Sequence, residues 1–470
     1  MRVFVLLAAA VSALAADPKL TPEMQAVTQH ISAASLRGHL SFIASDLLEG
    51  RATPSRGLDL AAEYIAAQFR RAGLEPVESE GYFQTATFIQ REPNWNGFEM
   101  TVRAGGKTLK IDKSDAYLLP DGELNLEDVQ IVPVDTNTVL SAQKINGKVA
   151  YVTNPRAARA LHNYHPALVL RAARELPPVP QVRDPEGGGR GFAPSVIAKP
   201  ELADLLKNGA EARVTIHMAA PVEQPVKLRN VAALLTGSDP ALRDTYVMLT
   251  AHYDHVGTSA SGEDRIYNGA NDDGSGTVSV VEIAAALAAL EPRPKRSILF
   301  VAFFGEERGL LGSRYYGRHP IVPLDKTIAD LNLEQIGRTD ASNGQQIGTA
   351  SITGFDFSDL PHILADAGRL TGVKIYKDAE GSDAYFSRSD NQALADLGVP
   401  AHTLCVAFNY PDYHGVGDHW EKIDYANMAT IDRAVAVGLL HLASDASPPK
   451  WNESYAAAKR YAEAARKLHQ

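Results

Sequence analysis

The sequence of 470 residues contains a single cysteine and no clustered blocks of lysine and arginine. Cys405 alone cannot form an intramolecular disulfide, and we interpret it as a small buried side chain. Nucleic acids demand concentrated positive charge, whereas this chain has a formal net charge of −10. The sequence therefore argues against a disulfide-stabilised fold, a nucleic-acid-binding protein and a protein attracted to anionic membrane surfaces.

The apolar run at the N-terminus is also short. Arg2 precedes an apolar stretch over residues 3–14, which is followed by small residues. This layout is typical of a signal peptide, and we place its cleavage after Ala15 or Ala16. The stretch is too short and too rich in alanine to span about 30 Å of hydrocarbon, and no cysteine follows it to carry a lipid anchor. We therefore expect an exported protein, periplasmic or secreted, without stable membrane insertion.

The chain also lacks internal repeats and long low-complexity tracts, and its 45% hydrophobic and 22% charged residues are ordinary for a globular protein. Short β-like runs and a Pro/Gly-rich stretch at 177–191 interrupt the pattern and predict an inserted β-rich module. The predicted division is a signal peptide (1–16), the first part of a main domain (17–115), the insert (116–222), the rest of the main domain (223–448) and a C-terminal helix (449–470).

Periodicity predicts the fold of the main domain. Residues 33–48 and 57–73 have helical spacing, and Gly73 is placed to end the second helix. The loop between them contains Glu49 and Arg51, for which a functional role and a solvated turn are equally open. After residue 228, apolar strands alternate with helices. This pattern predicts an α/β fold with a mixed, largely parallel central sheet covered by helices on both faces.

Residues that can bind metal follow these predicted strands. In open α/β sheets ligands bind beyond the carboxyl ends of the strands, so these side chains are expected to converge there. Each one alone is more often a solvated or hydrogen-bonded residue, but their coincidence at one edge favours a metal site. The candidates are His252, Asp254, Asp272, Asp273, Glu306, Glu307, Glu334 and His414.

Zinc binds imidazole nitrogen and carboxylate oxygen, and two zinc ions can share one carboxylate. Asp272 lies in the glycine-flanked turn 268–276, which suits such a bridge. Asp272, Glu307 and Glu334 would supply three negative charges, and a bridging hydroxide would bring two zinc ions to neutrality. The pattern therefore predicts two Zn²⁺ ions.

Neighbouring positions are expected to take different roles. Asp254 follows His252 by two residues, so in an extended strand both point to one face and Asp254 can accept the imidazole N–H. His255 is expected to point away. Glu306 and Glu307 should diverge, with Glu306 as general base and Glu307 as metal ligand.

Five ordered motifs carry a resemblance to a known family. They closely resemble those of the two-zinc aminopeptidase family that includes secreted bacterial leucine aminopeptidases, glutamate carboxypeptidase and glutaminyl cyclases. Residues 36–76 resemble the family's N-terminal segment, and the insert resembles a protease-associated domain. The motifs are AHYDHVG (251–257), NGANDDGSG (268–276), FFGEERGLLGS (303–313), LNLEQIGR (331–338) and YHGVGDHWEKID (413–424).

The resemblance implies a zinc-peptidase, phosphorylase/hydrolase-like fold and a residue-by-residue site. One zinc would be held by His252, Glu334 and bridging Asp272, and the other by His414, Glu307 and Asp272. Glu306 would be the base. Tyr413 matches a tyrosine that stabilises the oxyanion in some members, with aromatic packing as an equally open role, and Asp418 matches a structural or second-shell position.

The sequence departs from the family's pattern at two places. Many members have aspartate where Glu334 stands, and relatives often carry His and Phe where this chain has Asn391 and Leu394. The second difference leaves the specificity open.

We therefore expect hydrolysis of the N-terminal residue from peptides that have a free N-terminus. Three alternatives remain: a glutaminyl cyclase, a carboxypeptidase and a non-catalytic binding module. A carboxypeptidase would need a cationic pocket, for which Arg314 and Arg388 are candidates.

Overall fold

A computed structural model describes residues 19–119, 122–154, 161, 164–173, 180–187, 194–207, 211–259, 261–444 and 447–470. The predicted signal peptide lies outside these residues and stays a prediction. Of the Pro/Gly-rich stretch, residues 177–179 and 188–191 lie outside them, whereas residues 180–187 are described and include the strand Gln181–Arg183. None of the helices in the described part of the chain combines the length and apolar character needed to cross a bilayer.

The α-helices of the described residues are α1 (Pro22–His30), α2 (Ala33–Ile43), α3 (Arg56–Arg71), α4 (Ala142–Ile145), α5 (Glu201–Leu206), α6 (Gly276–Ala288), α7 (Leu311–Arg318), α8 (Leu360–Thr371), α9 (Ser382–Tyr385), α10 (Asn391–Ala395), α11 (Tyr425–Ser444) and α12 (Lys459–Leu468). The strands are β1 (Phe83–Glu92), β2 (Glu99–Ala104), β3 (Lys107–Lys110), β4 (Ala116–Leu119), β5 (Leu124–Val134), β6 (Val149–Val152), β7 (Leu168–Ala172), β8 (Gln181–Arg183), β9 (Ser195–Ala198), β10 (Ala212–Met218), β11 (Val222–Leu235), β12 (Tyr246–His252), β13 (Ser297–Phe303), β14 (Thr327–Glu334), β15 (Asp340–Ala341), β16 (Gly344–Gln345), β17 (Thr349–Ile352), β18 (Lys374–Tyr376) and β19 (Ala401–Cys405).

Helix α3 forms where the sequence predicts it, whereas α2 ends at Ile43, five residues before the predicted end at residue 48, and a 3-10 segment follows at Asp46–Arg51. Ser55 caps α3 by accepting the Leu58 backbone N–H at 3.0 Å. The apolar face of α3 includes Ile65 and Phe69, which are buried and each contribute about 1.5–3 kcal/mol. Gly73 follows the helix with φ of 74°, the left-handed conformation that glycine adopts without strain.

The first sheet has nine strands in the order β18-β17-β19-β14-β12-β13-β11-β1-β8. Its middle strands, β13, β12, β14 and β19, run parallel, whereas β11, β1 and β8 continue the sheet in antiparallel pairs. The predicted mixed sheet is therefore confirmed. Because the middle strands are parallel, their carboxyl ends meet at one edge.

Helices cover both faces of this sheet, as predicted. Along β13, Ile298, Phe300 and Ala302 pack into the core beneath α1–α3, α6, α8 and α11. The alternate residues Leu299 and Val301 pack into a second core with residues of α7, α10 and α12. Side chains of a strand alternate between faces, so a strand buried on both faces is apolar throughout. Cys405, at the end of β19, is buried and free, as expected.

A second sheet of eight strands is built from the chain between β1 and β11, in the order β3-β2-β10-β5-β6-β7-β9-β4. It has an apolar core of its own, which includes Val102, Leu168 and Val214. The sheet begins at β2, upstream of the predicted boundary at residue 116, because β2 pairs with β10 and β3 pairs with β2. The assignment of this segment as an inserted protease-associated module stays a prediction.

The C-terminal segment is helical only in its second half. The sequence predicts a helix over 449–470, but α12 covers Lys459–Leu468. Trp451 lies before the helix, and its indole N–H donates to the Gly398 carbonyl at 2.8 Å, which fixes the chain in a non-helical path.

Candidate metal centre

The end of β12 supplies the first buried imidazole. His252 is 1% exposed, and its Nδ1 lies 3.4 Å from Asp254 Oδ1 and 3.2 Å from the Asp254 carbonyl. The Asp254 carboxylate also accepts the Glu306 backbone N–H at 3.1 Å and the Thr53 hydroxyl at 3.0 Å. Asp254 thus lies beside His252, as predicted, and ties the β12 end to the loop that carries Glu306.

The turn Ala270–Ser275 presents Asp272 between two imidazoles. Asp272 Oδ1 lies 3.5 Å from His252 Nε2, whereas Oδ2 lies 3.0 Å from His414 Nε2. The two oxygens of one carboxylate therefore face two separate histidines. This is the arrangement that the predicted bridge requires.

Two aspartates hold this turn in place. Asp418 Oδ2 accepts the backbone N–H groups of Asn271 and Asp272 at 3.0 and 3.2 Å and the Tyr410 hydroxyl at 3.0 Å. Asp273 accepts backbone N–H groups from the end of β12, the start of α6 and the end of β14, at 3.3, 3.1 and 3.1 Å. Asp418 therefore orients Asp272 through the backbone, in agreement with its predicted supporting position.

Glu306 and Glu307 diverge after β13, as predicted. Gly305, with φ of 70°, turns the chain into a short 3-10 segment, Glu306–Arg308. Glu307 Oε1 lies 3.0 Å from His414 Nε2, whereas Glu306 Oε2 lies 4.0 Å from His252 Nε2. One carboxylate thus faces each histidine.

Glu334 ends β14, and its Oε1 lies 3.9 Å from His252 Nε2. Its carboxylate accepts a hydrogen bond from the Ser389 hydroxyl. Ser389 in turn accepts from the Asn332 amide at 2.7 Å, so the strand itself orients the partner of Glu334.

Tyr413 and His414 lie side by side at the rim. Their rings stack with centroids 4.2 Å apart, and Tyr413 is 45% exposed. This stacking supports the packing role of Tyr413, while its position at the cavity leaves the oxyanion role open.

The expectation that His255 points away is wrong. His255 is 1% exposed, and its Nδ1 lies 2.9 Å from Glu307 Oε1. Strand β12 ends at His252, so the alternation of an extended strand no longer applies three residues later. The His255 backbone N–H instead donates to the Arg51 carbonyl at 3.2 Å, which turns the ring inward.

For the loop that contains Glu49 and Arg51, the sequence left a functional role and a solvated turn open. Glu49 is exposed, but Arg51 is buried, so a solvated turn is wrong for Arg51. The Arg51 guanidinium is fully buried and donates to the carbonyls of Ile43, Tyr253, Asn268 and Gly269 at 2.6–2.9 Å. It joins the N-terminal segment to the end of β12 and to the turn that carries Asp272. In the sequence, the one signal for this structural role is that Arg51 lies within residues 36–76, which resemble the family's N-terminal segment.

The ionisable side chains of the site form two groups that share Asp272. We call His252, Glu306 and Glu334 the His252 group, and His255, Glu307 and His414 the His414 group. In the His252 group, burial raises the pKa of Glu306 well above its usual value and that of Glu334 to about 8. Burial and repulsion between carboxylates both favour the neutral acids. This group therefore holds more carboxylate than its single imidazole can balance.

In the His414 group the negative charge of the carboxylates is more nearly balanced by the imidazoles. Burial raises the pKa of Glu307, but the adjacent imidazoles of His255 and His414 lower it to about 2. Burial lowers the pKa of His414, but Asp272 and Glu307 raise it to about 10. Ionised acid and protonated imidazole stabilise each other here.

The donor set fits zinc. Ligand atoms of His255, Asp272, Glu307 and His414 all lie within 4.8 Å of one another. Both ring nitrogens of His255 and Glu307 Oε1 are buried without a hydrogen-bond partner, as expected for atoms that bind an ion. Imidazole and carboxylate are the ligands that zinc prefers beside thiolate.

A cavity of about 80 Å³ opens onto both groups. Its other lining residues are Gln335, Thr353, Tyr385, Arg388, Ser389, Thr403, Phe408, Asn409 and Tyr413. Asn391 and Leu394 do not line it; both are buried, and Asn391 accepts from the Thr403 hydroxyl at 2.9 Å. The two positions at which this chain differs from relatives therefore lie behind the residues that line the cavity, without lining it themselves.

Comparison with known sequences identifies relatives of this chain. Residues 230–438 match the model of peptidase family M28. A probable leucine aminopeptidase 2 of Aspergillus oryzae is 29% identical over 423 residues, which covers 80% of this chain and 79% of that protein. A probable zinc metalloprotease of Pyrenophora tritici-repentis is 36% identical over 129 residues, 27% of this chain and 26% of that protein. The chain thus spans about a quarter of the length of this second relative.

Solved structures share the fold. An aminopeptidase from Aneurinibacillus sp. strain AM-1 has a TM-score of 0.61 at 19% identity, covering 90% of this chain and 97% of that one. BSAP, a zinc aminopeptidase from Bacillus subtilis, has a TM-score of 0.61 at 18% identity, covering 91% and 97%. All five motifs of the site lie within residues 230–438, the region that is similar to peptidase family M28.

Proposed function

We propose that this protein is a zinc-dependent aminopeptidase that removes the N-terminal residue of peptides at a centre for two metal ions. The observation that carries the proposal is the geometry of Asp272, whose two carboxylate oxygens face His252 and His414 separately. One carboxylate in this position can serve two ions. The similarity to aminopeptidases supports the reaction type.

His252, Glu334 and Asp272 would hold one ion, and His414, Glu307 and Asp272 the other. When bound, zinc supplies a Lewis acid for the substrate carbonyl and lowers the pKa of water. Asp254 orients the His252 imidazole, and Asp418 orients the turn that carries Asp272.

Glu306 is the proposed general base. It faces the cavity beside His252, and its backbone N–H is fixed by Asp254 at 3.1 Å. Its carboxylate lines the cavity and is not assigned to either ion, so Glu306 is placed to take a proton from the attacking water and return it to the leaving amine. Glu306 therefore acts on both halves of the reaction without binding the substrate carbonyl.

Tyr413 is the proposed donor to the oxyanion. It lines the cavity, and burial together with the nearby carboxylates raises the pKa of Tyr413 above its usual value. The phenol therefore keeps its proton and can donate a hydrogen bond as negative charge develops on the carbonyl oxygen.

The test is the release of amino acids from a panel of peptides, each with a free and an N-acetylated terminus, with and without a chelator. We expect release only from free termini and its loss on chelation. Activity that survives thorough chelation, or equal cleavage of acetylated peptides, would contradict the proposal.

Arg388 favours a carboxypeptidase as the second candidate. Of the two arginines that the sequence offers, Arg388 lines the cavity and Arg314 does not. Its guanidinium lies 4.4 Å from the Tyr385 ring centroid. Arg388→Ala should raise KM for peptides with a free C-terminus relative to their amides if it binds that carboxylate, whereas Arg314→Ala should not. Equal KM values for acids and amides in the unmodified protein would exclude this role.

A glutaminyl cyclase would form pyroglutamate without peptide cleavage, so the same peptide panel separates it from an aminopeptidase. A non-catalytic module is disfavoured because Glu306 and the five proposed ligands all face the cavity.

We also propose that the protein is exported. Secretion with an N-terminus near residue 17 is the expected result, and retention of an uncleaved chain in the cytoplasm would contradict it.

A further inference from the structure

His255 combines two properties that rarely occur together. It is 1% exposed, and neither ring nitrogen has a hydrogen-bond partner. Its Nδ1 nevertheless lies 2.9 Å from Glu307 Oε1, an oxygen that is also buried without a hydrogen-bond partner. A hydrogen bond requires the N–H to point at the oxygen, and this pair is close without that alignment. An aligned hydrogen bond therefore does not account for the approach of these two atoms.

The surrounding side chains offer an explanation, because they form a set of possible metal ligands together with His255. His414 Nε2 is 3.0 Å from both Glu307 Oε1 and Asp272 Oδ2. With His255, these residues offer four ligand atoms that all lie within 4.8 Å of one another. In a tetrahedral site with zinc–nitrogen bonds of about 2.0–2.1 Å, ligand atoms lie about 3.3 Å apart. The separations of His255 Nδ1 from Glu307 Oε1 and of His414 Nε2 from Glu307 Oε1 and Asp272 Oδ2, which are 2.9–3.0 Å, are close to that value.

The fold holds the His255 ring in this orientation. Its backbone is fixed by the Arg51 carbonyl, and Ala52 forms a parallel bridge with it. Gly269 lies against the ring, and a Cβ at that position would come within 2.5 Å of His255 Cγ and Cδ2. The turn that carries Asp272 thus provides a space shaped for the imidazole.

We propose that His255 is a fourth protein ligand of the ion held by Asp272, Glu307 and His414. This inference rests on the proposed two-metal centre. It makes the two positions unequal, because the other ion has three protein ligands: His252, Asp272 and Glu334. Zinc sites with four protein ligands are closed, whereas sites with three keep a position open for water or substrate. The His414 position therefore fills first and releases its ion last.

The experiment uses the zinc-loaded full chain and a chelator. We expect two equivalents of zinc, of which one leaves quickly and the other at least about tenfold more slowly. His255→Gln should accelerate release of the slow equivalent by about tenfold or more, and His255→Cys, which restores a zinc ligand, should slow it again. His39→Gln is the matched control, because His39 is also buried beside a glutamate, Glu282, at 3.7 Å. Circular dichroism establishes that each variant is folded.

A crystal structure of the zinc-loaded chain measures directly whether His255 binds the ion. A distance of about 2.0–2.1 Å between His255 Nδ1 and zinc supports the assignment. A distance above about 3 Å, or unchanged release kinetics in folded His255→Gln, would overturn it. Zinc binding with this geometry but without peptide hydrolysis would reject the proposed function and leave the ligand assignment standing.

Discussion

The His252 group and the His414 group differ in spacing and in charge balance. In the His414 group, imidazole nitrogens lie 2.9–3.0 Å from carboxylate oxygens. In the His252 group the corresponding separations are 3.5–4.0 Å, and two glutamates surround one imidazole. The compact group suits retention of an ion, while the wider, more acidic group leaves room for water and substrate. Proton transfer by Glu306 is therefore expected on the His252 side.

Loss of the base should give the largest effect. Glu306→Gln keeps the size of the side chain but removes proton transfer, so kcat should fall by about 10²–10⁴-fold. Steady-state kinetics measures the fall, and zinc content by metal analysis should stay unchanged. Glu263→Gln, at an exposed loop position, serves as the control. Full activity in Glu306→Gln would place the base elsewhere and remove the functional difference between the groups.

A substitution of Tyr413 tests whether the side chains beside His414 contribute to catalysis. Tyr413→Phe keeps the ring that stacks on His414 but removes the hydroxyl, so it separates packing from oxyanion stabilisation. If the hydroxyl donates to the oxyanion, kcat should fall by about 10²–10³-fold with little change in KM. Tyr455→Phe, whose hydroxyl binds Asp383, is the control. Unchanged kcat in Tyr413→Phe would leave packing as the only role.

Asp418 supports the residue that both groups share. Asp418→Ala removes the acceptor of the Asn271 and Asp272 backbone N–H groups and so loosens the turn. Zinc affinity should fall by about 10–100-fold for both equivalents, as measured by competition with a chelator. Asp359→Ala, which removes an acceptor of the exposed Lys450 backbone N–H, is the matched control. Weakening confined to one equivalent would show that Asp272 does not serve both ions.

The dependence of stability on pH tests the acidic character of the His252 group. In the zinc-free protein, burial raises the pKa of Glu334 from 4.5 to about 8. The folded state thus holds a proton that the unfolded chain has released, so this group's contribution to stability is lost as pH rises from about 4.5 to 8. Urea unfolding should show this decline in the zinc-free protein and a weaker decline in Glu334→Gln. Identical pH profiles for the two proteins would contradict the raised pKa.

Much of the site could be predicted because it follows from strand ends. His252 and Glu334 end strands β12 and β14, and parallel neighbours bring their ends to one edge. Glu306 and Glu307 follow β13 at the same edge. Local pattern and one topological rule were sufficient for these residues.

His255 and Arg51 were missed for a common physical reason. Each is positioned by contacts between segments about 200 residues apart in sequence, such as the Arg51 side chain with the Tyr253 carbonyl. Loop conformation after a strand end depends on these partners rather than on local periodicity. The upstream start of the second sheet at β2 was missed similarly, because it depends on pairing with the distant strand β10.

Anomalous diffraction from a crystal of the zinc-loaded protein is the most direct measurement of the two-metal centre. We expect two zinc peaks about 3.5–4 Å apart, with Asp272 Oδ1 bound to the ion beside His252 and Oδ2 bound to the ion beside His414. A single peak at full zinc loading, or both Asp272 oxygens on one ion, would contradict the shared carboxylate on which the proposed function depends.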